Sequence, residues 1–345
     1  MKRVIFKIKN ALLCLVICGM FPLLLRGQEI IEEGTMDKAV TRLIMPREDM
    51  PAIDAYAVTL KKNPQMPLMI MIPGSKCYPL FMRKPATNRV LSTVMFYDAL
   101  MDKPFDMNFI AVERRNLKSF QEYSTELISR KCSDSYGSVE KNDRVADAIF
   151  ALKAIARQKW AGDIILAGHS EGADVVSGVA AALGDNNLKK LKVKAICFLS
   201  SGGSTQLFDH IVEARLTSKQ TAQDVFEELL WLTGNPTGEY RGFPVRRYMS
   251  YAIETTPLEE LKNLHTPIFI AHGTKDKNSP ILSDDLLAAE LFRTDKKRML
   301  KYLILEGSDH GYNNAQGESR SADVLVNILK WISGGFPRQV ETLPV

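Results

Sequence analysis

Ser170 stands in the pentapeptide Gly168-His169-Ser170-Glu171-Gly172, directly after the apolar run "DIILAG" and directly before the small-residue segment "ADVVSGVAAALG". A serine hydroxyl is a poor nucleophile at neutral pH. To attack a carbonyl it needs a base within hydrogen-bond reach and an acid that holds the base in one tautomer. It also needs two backbone N–H groups where the oxyanion forms. The G-x-S-x-G spacing suits a strand that turns sharply into a helix. Side chains two before and two after the serine would collide there, so Gly168 and Gly172 have a steric purpose. The helix also aims its first N–H groups at the serine.

The chain has five histidines from which to draw the base. His169 lies inside the turn and is expected to point elsewhere. His210 falls in a long connection between two strands. His265 precedes a strand, at the wrong end for a site built on strand C-termini, and His272 ends a strand four residues before a better acid. His310 follows "YLILEGSD", on a loop after the last strong strand, and is the expected base. Asp276, in "FIAHGTKDKNSP", is the expected acid. Asp309 is too close in sequence to orient the ring of His310, and Asp284 and Asp285 read as first-turn helix residues. The backbone N–H of Glu171 is one expected oxyanion donor, and the N–H of Ser75 or Lys76, after "LMIMIPG", is the other. Cys77 shares that loop, and a bridge from Cys77 to Cys132 would hold it rigid.

Elements must bring these residues together. Apolar runs of five to nine residues recur at "AIDAYAVTL", "PLMIMIP", "FDMNFIAVE", "GDIILAG", "KAICFLSS", "TPIFIAHG" and "KYLILEG". Most lack alternation, as expected of strands covered on both faces. Helical patterns lie between them, at "DRVADAIFALKAIARQ", "EGADVVSGVAAALG", "DDLLAAELFRT" and "SADVLVNILKWIS". The alternation predicts one α/β domain over residues 28–345, with a mostly parallel central sheet and helices on both faces. One connection is too long for a simple crossover. About residues 204–264 form an insertion with helices expected near 219–233, 246–253 and 258–264, read as a helical cap over the site.

The order Ser170, Asp276, His310, each after its own strand, resembles the α/β-hydrolase family, in its exported esterase and serine-peptidase-like branches. The resemblance covers roughly residues 36–335 and rests on the serine turn, the "HGTKD" loop and the "GSDHG" loop together. Where many members carry His-Gly in the oxyanion loop, this chain carries Pro73-Gly74. The resemblance implies acyl transfer to water through an acyl-enzyme on Ser170, with a small-molecule acyl substrate and with no metal and no organic cofactor. A carboxylesterase is the first expectation. The alternatives are a peptidase of the prolyl-oligopeptidase-like kind, against which counts the short stretch before the oxyanion strand, and a non-catalytic binding protein on the same scaffold. Within the insertion, "EYRGFPVRRYMSYA" carries Arg241, Arg246 and Arg247, one of which would face the cleft and receive an anionic or sugar-bearing acyl group; the alternative is a solvated helix face.

Composition narrows the function classes. The chain is 345 residues long, 46% hydrophobic and 25% charged, which is the balance of a globular protein with a sizeable core. Residues 1–27 read as a secretory signal peptide: a basic start, the 15-residue apolar run "ALLCLVICGMFPLLL", and a cut before Gln28. That run is short of the ~20 residues of a membrane span. The formal net charge of +5 resides in Lys2, Arg3, Lys7, Lys9 and Arg26, so the rest of the chain is balanced. Nothing supports nucleic-acid binding, and no membrane contact is expected after cleavage. The expected location is the periplasm or the exterior, where thiols oxidise. Cys197, in "AICFLS", reads as a buried small hydrophobe. Its oligomeric state is not legible.

Overall fold

The computed structural model describes residues 30–344 apart from 36, 126, 128–136, 218–220, 241–242 and 253. The expected signal peptide and its cleavage point lie outside the described residues. Among those described, no helix is long and apolar enough to cross a membrane.

All seven expected strands form, as β3 (Ile53–Thr59), β4 (Leu68–Ile72), β7 (Asn108–Val112), β9 (Ile164–His169), β10 (Val193–Leu199), β13 (Ile268–Gly273) and β14 (Leu300–Leu305). Three more strands, β1 (Ile31–Gly34), β2 (Thr41–Met45) and β15 (Gln339–Leu343), complete a ten-stranded sheet. Its order is β1-β2-β3-β7-β4-β9-β10-β13-β14-β15. From β7 to β15 every pairing is parallel, while β1, β2 and β3 join antiparallel at one side. The three unexpected strands are short and lie at or near the edges. β1 is exposed throughout, and β15 alternates half-buried with exposed residues, so neither carries the apolar run that marks a strand buried on both faces.

Helices cover both faces. On one side α2 (Lys141–Ala156), α3 (Glu171–Lys190) and α8 (Ile281–Thr294) pack on Ile164, Leu166, Ile268 and Ile270. On the other, α1 (Tyr97–Asp102) and α9 (Ser321–Ser333) pack on Ile165, Ala167, Phe269 and Ala271. Successive strand residues therefore serve opposite layers, which explains the unbroken apolar runs. Cys197 is buried as a free thiol, as expected.

Two small sheets sit outside the main one: β5 (Phe81–Lys84), β6 (Arg89–Ser92) and β8 (Gln121–Glu122), and the hairpin β11 (Glu239–Tyr240) and β12 (Phe243–Pro244). The long connection from β10 to β13 holds that hairpin together with α4 (Gln206–Thr217), α5 (Ala222–Gly234), α6 (Val245–Ala252) and α7 (Pro257–Leu261). Three of these helices match the expected positions, whereas α4 was not expected. Its inner face carries Asp209, His210 and Glu213 toward a polar cleft, so its apolar periodicity is weak.

Candidate active site

Parallel strands deliver their C-terminal ends to one edge of the sheet, and the candidate residues collect there. β9 ends at His169, and Ser170 follows at φ 55°, ψ −133° before α3 begins at Glu171. Such a backbone is strained for a side-chain-bearing residue and persists only where its surroundings enforce it. Both flanking glycines are sterically required. A Cβ on Gly168 would come within 2.3 Å of the Gly172 carbonyl oxygen, and one on Gly172 within 2.1 Å of that of Ile72. A Cβ on Gly74 would touch the Cβ of Ser170 at 3.1 Å, so the expected oxyanion loop runs directly against the serine.

His310 and Asp276 meet as expected: His310 Nδ1 lies 2.7 Å from Asp276 Oδ2. Their loops are locked together. A Cβ on Gly273 would meet the Ser308 carbonyl oxygen at 2.3 Å, Lys275 N–H donates to Ser308 O, and Thr274 N–H donates to Leu305 O. Buried Tyr312 donates its hydroxyl to Ala271 O and so anchors the histidine loop on β13. Ser170, His310, Ser75, Lys76 and Glu171 line one cleft of about 310 Å³, together with Asp174, Asp209, His210, Glu213, Arg247 and Tyr248.

Asp276 is wholly buried and fully engaged. Its Oδ1 accepts from the N–H groups of Asn278 and Ser279. Its Oδ2 faces His310 and also His272 Nε2, at 3.2 Å. His272, set aside in the sequence because Asp276 follows it closely, therefore belongs to the site. Its Nδ1 lies 2.6 Å from Asp284 Oδ2, and its Nε2 also faces Ser279 O at 3.0 Å. Both ring nitrogens face oxygen atoms, to which a doubly protonated ring can donate. Burial alone would push that pKa down, but the bonds and charges of Asp276 and Asp284 outweigh it and hold it at about 10. Burial alone would raise the Asp276 pKa, but donation from His272 and His310 holds it well below the usual carboxylate range. Asp284 does sit in the first turn of its helix, as expected, but it is buried. It accepts from Ser201 Oγ at 2.8 Å, and its pKa is raised, by burial first. A line of groups, Asp284–His272–Asp276–His310, thus runs from the core to the cleft. No motif in the sequence announced it beyond the His-Gly pair at the end of a strand.

This arrangement has a pH signature. The imidazole of His272 has a raised folded pKa, about 10, against about 6.5 in an unfolded chain. Its stabilising contribution is complete below pH ~6.5 and is lost as pH rises through about 10. The melting temperature is expected to fall between pH 7 and 10, and that fall should be visibly shallower in His272→Gln. Parallel curves for the two proteins would refute the assignment.

His169 does not point away. Its ring lies 4.8 Å from that of His310, and its Nε2 is 3.0 Å from the His310 carbonyl oxygen. Burial first, and then the nearby charge of His310, push its pKa down to about 3. It is therefore a neutral ring that donates to the histidine loop, a positioning role the sequence reading missed.

Two arginines brace the oxyanion side, and neither was expected there. Arg114, buried beside Glu113, donates to the carbonyls of Gly74 at 3.4 Å, Lys76, and Tyr78 at 2.7 Å. In a trans peptide the N–H points opposite to the C=O. A Gly74 carbonyl turned toward Arg114 therefore turns the Ser75 N–H away from it. This favours Ser75 over Lys76 as the second oxyanion donor. Arg144 donates to Pro73 O and, at 2.6 Å, to Glu171 Oε1, tying the loop to the residue after Ser170. The Glu171 N–H, in the first helical turn, has no helical carbonyl to meet.

The arginines of the insertion are otherwise committed. Arg247 faces the cleft, but its Nη2 donates to both carboxylate oxygens of Glu171, at 2.9 and 3.1 Å. Arg246 is exposed and pairs with Glu140 at 3.1 Å, and Arg241 lies outside the described residues. The expectation of an arginine reserved for an anionic acyl group is thereby corrected for Arg246 and Arg247. Cys77 is half-buried against Leu117 and Val139, and Cys132 lies outside the described residues. Among the described residues, no group of three or more His, Cys, Asp or Glu is arranged to hold a metal ion.

The comparisons with known proteins bear on the fold. Residues 199–336 match the prolyl oligopeptidase family. The match takes in Asp276 and His310 and begins after Ser170. Curated protein sequences give no match. Among solved structures, Est1E from Butyrivibrio proteoclasticus with ferulic acid bound aligns at 14% identity and a TM-score of 0.54, over 89% of this chain and 98% of that one. Alpha/beta hydrolase domain-containing protein 10 from mouse aligns at 14% identity and a TM-score of 0.54, over 86% and 99%. The acylaminoacyl peptidase of Pyrococcus horikoshii aligns at 12% identity and a TM-score of 0.53, over 91% of this chain and 43% of that one. A sharp turn after a central parallel strand, an acid and a histidine on later strand ends, and helices on both faces of the sheet give this chain the α/β-hydrolase fold.

Proposed function

We propose that the chain is an exported serine hydrolase that cleaves a carboxylic ester through Ser170, His310 and Asp276. The observation that carries the reading is the 2.7 Å contact between His310 Nδ1 and Asp276 Oδ2, on a histidine that shares its cleft with the strained Ser170. Asp276 accepts from Nδ1–H, which leaves the Nε2 lone pair for the Ser170 proton. Oγ attacks the carbonyl carbon, and the tetrahedral oxyanion is met by the N–H groups of Glu171 and Ser75. His310 then returns the proton to the leaving alcohol, and the acyl group stays on Oγ. Water, losing a proton to the same nitrogen, attacks next and frees the acid. Residues 204–264 act as the cap that shapes the acyl site.

A second reading, a peptidase, is favoured by the family match over residues 199–336. Turnover of a p-nitrophenyl ester beside a p-nitroanilide of the same acyl group decides between them. The ester is expected to exceed the amide in kcat/KM by more than their difference in uncatalysed reactivity. An amide turned over as readily as the ester would make the peptidase the better account.

Export and the bridge between Cys77 and Cys132 belong to the same proposal. Cys197 is the free cysteine among those described. Cys77 packs against Leu117 and Val139, which bracket the stretch that contains Cys132. The mass of the mature protein, alkylated with and without reductant, reads out both. Retention of residues 1–27, or two reactive thiols at Cys77 and Cys132 without reductant, would count against them.

A further inference from the structure

Asp174 lies in the first turn of α3, just after Ser170, and both residues line the cleft. The residue is only 7% exposed and lines the cleft wall. Its carboxyl group makes no hydrogen bond or ion pair with any described residue, and two nearby cations are held by other carboxylates. The Lys141 ammonium is held by Glu260 at 2.8 Å. Arg247 is held by Glu171. The carboxyl opens onto the cleft and leaves its acceptor sites to whatever enters there. Such a group at the wall of a cleft is accounted for when a ligand supplies the partner.

We propose that Asp174 binds a protonated amine on the substrate, so that the preferred acyl group is an amino-acyl one. The proposal rests on the serine-hydrolase reading above and names its substrate class. Charge supports a cation over an anion. Asp209 and Glu213 add carboxyl groups to the same wall as against the ammonium of Lys76, and Arg247 is already paired with Glu171. Burial first, and then the charges of Glu171, Asp209 and Glu260, raise the Asp174 pKa well above the carboxylate range against the pull of Lys141. The shift favours the protonated acid before a ligand enters. An arriving ammonium keeps its proton, the carboxyl gives its own to solvent, and a charge-assisted hydrogen bond forms. Ser170 and Asp174 are four residues apart and line the same cleft. An acyl group with its carbonyl at Ser170 and its amine at Asp174 carries that amine a few bonds from the scissile carbonyl.

The test uses three 4-nitrobenzyl esters of nearly equal size: β-alanine, whose acyl chain ends in an ammonium; butanoate, with methyl in its place; and 3-hydroxypropanoate, with hydroxyl. After correction for uncatalysed hydrolysis, the wild-type protein is expected to favour the amine over the methyl ester by about tenfold or more in kcat/KM. In Asp174→Asn that ratio should collapse toward one. Active wild-type protein that treats the amine and methyl esters alike overturns the proposal without any variant. So does a preference for the hydroxyl ester, which would make the site a hydroxyl subsite, or an amine preference that survives in Asp174→Asn. If no ester is turned over and a fluorophosphonate fails to label Ser170, the serine-hydrolase reading itself falls, and this proposal with it. Labelling without amine preference overturns only the proposal.

Discussion

Ser170→Ala is expected to lower kcat for ester hydrolysis by roughly 10⁴-fold or more and to abolish covalent labelling by a fluorophosphonate, while leaving the thermal melting point nearly unchanged. Ser170 adopts φ 55° between Gly168 and Gly172, with its N–H donated to Leu199 O at 2.9 Å and its carbonyl accepting from Ala173 N–H at 2.8 Å. The backbone of the turn is therefore held by groups other than the hydroxyl, and alanine fits the same space. What alanine lacks is the atom that forms the acyl bond. Residual turnover would come from water attacking within the oxyanion site. Labelling that persists at another residue in Ser170→Ala would show that the turn is structural and the nucleophile lies elsewhere.

Asp276→Asn is expected to cost about 10³–10⁴ in kcat with a much smaller effect on KM. Asparagine keeps the shape and can still accept from the N–H groups of Asn278 and Ser279. Its amide can, however, donate to His310 Nδ1, which would place the ring proton on Nε2 and leave no lone pair for Ser170. The carboxylate also faces His272, whose imidazolium would lose one of its two anionic neighbours. The mutant should therefore titrate differently as well as turn over slowly. Its activity is expected to recover in part as pH rises, because a higher pH favours direct deprotonation of the serine. A kcat/KM–pH profile checks this. A loss below tenfold would show that Asp276 is not the acid.

Much of the architecture was legible because the seven central strands are buried on both faces, and such strands show as unbroken apolar runs in any register. The serine turn was legible because steric exclusion leaves glycine at both flanking positions, and the late histidine and its acid because each follows an apolar strand. Edge strands such as β1 and β15, half in solvent, carry no such run. α4 was hidden for a related reason: its inward face serves a polar cleft instead of the core.

The sequence by itself determined the fold class, the strand ends, and the three residues placed where acyl transfer would need them. Those properties depend on local pattern and on backbone sterics, which neighbours in the chain specify. Tertiary structure alone decided the rest. It put His272 between Asp276 and Asp284, turned His169 onto the histidine loop, and set Arg114 and Arg144 behind the oxyanion loop. It also spent Arg247 on Glu171 while leaving Asp174 without a partner. Those outcomes depend on which groups meet across different elements, and the pairing of buried charges is set by packing, which no single stretch of sequence encodes.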